Sequence, residues 1–167
     1  MTINEQNLYM SKEYTESIRY MDNAKDTLKR AEKQDNGYYK DEKYVRTACG
    51  TAYLGVLRAI DAWLFIKGVQ LPGKKKQKSF ALYEYTIAKM DKKMLSSLKS
   101  AYGVLHIAGY YHGITSVDII KNGFDIADEI IEKIKPENPV EVAETGGDKA
   151  KRIWNRLLIS LAVIFRF

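Results

Sequence analysis

Asp41-Glu42-Lys43-Tyr44-Val45-Arg46-Thr47-Ala48-Cys49-Gly50-Thr51-Ala52-Tyr53-Leu54-Gly55-Val56-Leu57-Arg58-Ala59-Ile60-Asp61-Ala62-Trp63-Leu64-Phe65-Ile66-Lys67-Gly68 is the stretch on which the fold turns. Val45, Ala48, Cys49, Ala52, Val56, Ala59, Ile60 and Trp63 recur at three- and four-residue steps, the period of one face of an α-helix. Tyr53, Leu54, Leu57 and Leu64 widen that stripe, so the helix is central and buried over much of its circumference. Asp41 suits the N-cap, where a carboxylate answers free amide groups, and Gly68 ends the run.

The same period extends to both sides. Ile18, Met21, Ala24, Leu28 and Ala31 predict a first helix over Ser11–Lys33, stopped by Asp35-Asn36-Gly37. Leu71-Pro72-Gly73-Lys74-Lys75-Lys76-Gln77-Lys78 reads as a loop. Ser79 caps a short third helix to about Ala88. Asp91 caps a fourth, with Met94, Leu95, Leu98, Ala101, Tyr102, Leu105 and Gly109 inward and Gly113 as its stop. Thr115-Ser116-Val117-Asp118 has the pattern of a capping box. A fifth helix follows with Ile119, Ile120, Phe124, Ala127, Ile130, Ile131 and Ile134 inward, and Pro136 ends it.

No stretch alternates as a strand does, and short connections between helices favour antiparallel neighbours. The expected fold is therefore all-α: an antiparallel four- to five-helix up-and-down bundle over residues 1–135. An acidic linker over 136–148 leads to a basic amphipathic C-terminal helix over 149–167. Ile153, Trp154, Leu157, Leu158, Leu161, Ile164 and Phe165 line one side of that last helix. Its apolar run is about half the length needed to cross a bilayer. Docking on the bundle, contact with another copy, or lying on a membrane surface are its three readings, with docking or assembly favoured.

A chain of 167 residues carries a core without staples. Its one cysteine, Cys49, forms no internal disulfide and sits in an apolar pattern as a small buried hydrophobe. The N-terminus lacks the pattern of a signal peptide, which makes the cytoplasm the expected compartment. The net charge of +6 gathers at Lys67–Lys78 and in the last nineteen residues. Such clusters attract polyanions, although their ordinary role is to keep a surface solvated.

Metal-ligand spacings such as CxxC and HExxH are missing, as are Gly-rich phosphate loops and the GxSxG elbow. No metal or cofactor is expected. What remains lies on the fourth helix. Lys99 and His106 are seven residues apart, about two α-helical turns, which places them on one side with about 10 Å between backbones. Tyr102 and Tyr110 flank that side, and His112 lies just beyond. A histidine exchanges protons near neutrality and can act on a ribose hydroxyl, while a lysine stabilises charge building on phosphate. Lys99 and His106 are thus the candidate catalytic pair. Tyr102, Tyr110, His112 and the loop lysines Lys74, Lys75 and Lys76 are candidate ligand-binding residues. The structural alternative is a boundary histidine bonded to a neighbouring helix, among tyrosines that line the core.

Thr51–Leu64 followed by Gly68 resembles the second helix of HEPN domains, with an early aromatic, an alanine-rich segment holding an acidic residue, and a glycine after its end. Val117–Ile134, with Gly123-Phe124-Asp125-Ile126-Ala127, resembles the closing helix of that fold. The resemblance covers about Ser11 to Lys135. Leu105–Tyr111 is also similar to a Leu-His-x-x-Gly-Tyr-Tyr segment in an unannotated family of short bacterial helical proteins. HEPN proteins include metal-independent RNases, partners of nucleotidyltransferases, and degenerate nucleotide or RNA binders. Their RNases carry an arginine and a histidine separated by four to six residues, and the spacing and the histidine fit Lys99–His106. Here lysine stands at 99, and it lacks the planar two-point grip of guanidinium on phosphate. The resemblance therefore implies a non-enzymatic homodimer, its fourth-helix ridges facing each other, that binds a nucleotide, RNA or a partner protein. A working RNase using His106 and Lys99 is the alternative. A peripheral membrane or scaffold protein using 149–167 is the third.

Overall fold

A computed structural model describes residues 2–69 and 78–136. It contains five helices: α1 (Ile3–Lys29), α2 (Glu42–Ile66), α3 (Phe80–Ala88), α4 (Lys92–Ala101) and α5 (Val117–Glu132). Helix α4 runs on without a break into a π-helical segment, Tyr102–Tyr111. No strand forms among the described residues; two isolated bridges, Lys33 with Tyr39 and Tyr38 with Ser116, tie loops together. The all-α bundle is thus as the periodicity predicts.

Pairings along α2 give the direction of its neighbours. Moving from its start to its end, Tyr44 meets Arg30, Arg58 meets Glu13 and Phe65 meets Tyr9, so α1 runs antiparallel. Arg46 meets Tyr110 and Tyr111, and Tyr53 meets His106 and Tyr102, so the π-helical segment is antiparallel as well. Helix α2 is long and apolar enough by composition to span a bilayer. In this fold its apolar residues are the core: Val45, Ala48, Cys49, Ala52, Val56, Ala59, Ile60 and Leu64 are fully buried. Leu98, Leu105, Ile120, Ile130 and Ile131 close over them from α4, the π-helical segment and α5.

Several local expectations are corrected. Helix α1 starts eight residues before Ser11, because Thr2 and Glu5 form a reciprocal capping box, and it ends at Lys29 rather than Lys33. The capping box expected at Thr115–Asp118 does not form: Ser116 is the N-cap and makes no side-chain cap bond. Backbone pairing holds that entry instead, with Tyr39 N–H donating to Thr115 O at 2.8 Å and Val117 N–H to Gly37 O at 3.0 Å. Ile18, Leu54 and Ile119, expected inward, are 37%, 51% and 45% exposed. Each sits at the margin of its apolar stripe, where the helix turns toward solvent. The caps at Asp41, Ser79 and Asp91 are as expected, each side chain accepting from amides of its helix's first turn. The linker from residue 137 and the helix expected over 149–167 lie outside the described residues, as do Lys74, Lys75 and Lys76.

Candidate functional site: an aromatic groove

The π-helical segment builds the site. Its i→i+5 bonding makes a wider turn than the α-helix and so brings residues four apart nearly into register. His112 N–H donates to Ile107 O at 2.9 Å in this pattern, and Gly113 (φ +68°) closes the segment. Two contacts hold it. Arg46 on α2 donates from Nη1 to Tyr110 O (2.7 Å) and Tyr111 O (2.6 Å), satisfying carbonyls at the segment's end, while its Nε binds Glu42 at 2.6 Å. Gly109 lies flat against Cys49: a Cβ there would stand 2.8 Å from the Cys49 Cβ, closer than packed atoms allow.

The register stacks rings. Tyr102 and His106 have centroids 5.2 Å apart with planes 25° from parallel, and His106 and Tyr110 follow at 5.7 Å and 22°. Phe80, from the start of α3, completes the column by stacking on Tyr102 at 3.9 Å and 13°. Tyr53 of α2 leans against its middle, 5.0 Å from His106 and 5.8 Å from Tyr102. The column forms one wall of an open groove. Thr47, Gly50, Thr51, Leu54 and Leu57 of α2 form the other, and Lys78, Phe80 and Tyr83 close one end. Gly50 makes room for Tyr110, whose ring would be 3.0 Å from a Cβ at that position.

Polar groups near the groove are largely matched. Lys78 Nζ lies 2.6 Å from Asp61 Oδ2, and the Tyr83 hydroxyl donates to Asp61 Oδ1 at 2.9 Å. Burial, and then the charge of Asp61, push the Tyr83 phenol well above its ordinary range. Burial does the same to Tyr53. The buried Cys49 thiol is pushed up to about 12, which makes it an inert packing group rather than a nucleophile.

The structure therefore brings together three of the residues read from sequence, Tyr102, His106 and Tyr110. His106 is half-buried in the groove wall. Lys99 is not part of the lining; its ammonium pairs with Glu84 of α3 at 2.8 Å, with both side chains largely in solvent. The α-helical count from Lys99 to His106 no longer applies, because the wider turn begins at Tyr102. His112 lies past the segment, exposed, with its ring edge-on to Tyr111 at 5.5 Å. Among the described residues no group of three or more His, Cys, Asp or Glu could hold a metal. Sequence reading missed Phe80 and Lys78, which only tertiary packing delivers. It also took Tyr53 and Leu54 simply as apolar stripe. The four-residue spacing of Tyr102, His106 and Tyr110 was the available signal.

A family described as a domain of unknown function (DUF5618) matches residues 12–136, the whole groove included. The chain belongs to this family. A protein of unknown function from Dyadobacter fermentans is similar to the DUF5618 chain at 34% identity and TM-score 0.64, over 75% of this chain and 94% of that one. No curated protein matches. The family boundaries run from within α1 to just past α5 and enclose the Leu105–Tyr111 segment, in agreement with the expected unannotated helical family.

Proposed function

We propose that this DUF5618 protein is a non-enzymatic, HEPN-like binding protein that works as a homodimer and takes a nucleotide or RNA in its aromatic groove. The observation that carries the reading is the stacked column Phe80–Tyr102–His106–Tyr110 along an open groove. Rings arrayed in this way bind bases by stacking and edge contacts, each worth about 1–3 kcal/mol. Cleavage is disfavoured because it needs a cation beside the imidazole, and Lys99 is engaged by Glu84 away from the lining. The dimer is supported by the resemblance to HEPN domains and by large apolar side chains exposed outside the groove lining: Tyr111 is 68% and Ile114 39% exposed.

The test is an RNA-binding and cleavage assay on the full chain. Binding without strand scission is expected, with Tyr110→Ala lowering affinity about tenfold. Scission that survives EDTA and disappears in His106→Ala would instead establish the RNase reading. Light scattering should give twice the monomer mass, and a monomer at all concentrations removes the dimer from the proposal.

A further inference from the structure

We infer that the groove recognises an uncharged nucleoside-type ring, a base with its sugar, and leaves any phosphate in solvent; this rests on the binding reading above. Charge carries the inference. A phosphate needs an unspent cation or a cluster of free amide donors to offset its desolvation. Among the described residues Lys78 is the lysine in the groove lining, and Asp61 pairs with it at 2.6 Å. Among the described residues, the cations near the groove are likewise engaged: Arg46 to two carbonyls and Glu42, Arg58 to Glu13, Lys99 to Glu84.

Neutral polar groups, by contrast, are available. Among the described residues the hydroxyls of Tyr53, Tyr102 and Tyr110 and the His106 imidazole make no hydrogen bond to protein. Three phenols and an imidazole spaced along an apolar trough suit the carbonyls, amines and ring nitrogens of a base edge and the hydroxyls of a sugar. The stacked column also turns its electropositive ring edges outward, which favours the electron-rich face of a heterocycle laid against it.

Equilibrium dialysis of the full chain with adenosine, uridine and their 5′-mono- and triphosphates tests this. At least one nucleoside should bind, its phosphorylated forms should match it within about threefold, and affinity should stay flat between about 50 and 300 mM salt. Tyr110→Ala, at a half-exposed ring whose loss spares the core, should weaken binding about tenfold. Affinity that climbs with each phosphate and falls steeply with salt would overturn the inference and leave the binding reading standing. Unchanged binding in Tyr110→Ala would move the site elsewhere, and no binding of any nucleoside or nucleotide would sink both.

Discussion

Gly109 and Cys49 touch where the π-helical segment crosses α2, and that contact leaves no volume for a methyl group. Gly109→Ala should therefore cost about 1–3 kcal/mol in denaturant unfolding, as overpacked cores do. Pairing it with Cys49→Ala removes the sulfur, the atom nearest the new methyl, but keeps the Cβ, so the double variant should recover part of the loss, and a strictly additive pair would refute the contact. The same cysteine makes alkaline pH destabilising. Unfolded, its thiol releases a proton near 9.0; folded, it holds on to about 12. Between those values the unfolded state binds fewer protons, so stability falls as pH rises, by up to about 1.4 kcal/mol per unit for one group. Tyr53 and Tyr83, raised from 10.0, act with the same sign above that pH. Unfolding series from about pH 8 to 11 should show this decline, and Cys49→Ala should flatten its first part.

At the scale of elements, the π-helical segment depends on its ends. Arg46→Met removes the donors to Tyr110 O and Tyr111 O and should destabilise by about 1–2 kcal/mol. Faster amide exchange at 107–113, with α1 unchanged, is the signature that places the loss there. Gly103 is exposed and has nothing near its missing side chain, so Gly103→Ala should stabilise by about 0.4–1 kcal/mol through the unfolded chain. Helix identity was legible in sequence because caps and apolar spacing act locally: Asp41, Ser79 and Asp91 each begin a helix where they appear. The start of α1 was not, because a polar first turn such as Asn4-Glu5-Gln6 has no apolar period to reveal it. Nor was the π-helical turn legible, since Tyr102–Tyr111 satisfies an α-helical pattern equally well. The wider form is met by tertiary contacts, among them the fit of Gly109 on Cys49 and the reach of Arg46 to the segment's last carbonyls.

Across the whole molecule, the site arises where three elements meet, and this explains which part of it could be read in advance. Tyr102, His106 and Tyr110 share one segment and were recognisable from their spacing. Phe80 and Lys78 arrive from the far side of a loop whose path no local signal encodes, and Lys99 was displaced from the group because Glu84 of α3 holds it. The wide turn also has an evolutionary corollary. Its side-chain register depends on how many residues the segment contains. Deleting a single residue between Tyr102 and Tyr111 would let the segment tighten to an ordinary helix, and would swing a different set of side chains toward α2 in place of the buried Leu105 and Gly109. Within DUF5618 proteins, a one-residue gap at this position should mark relatives that have kept the helices and changed the lining of the groove.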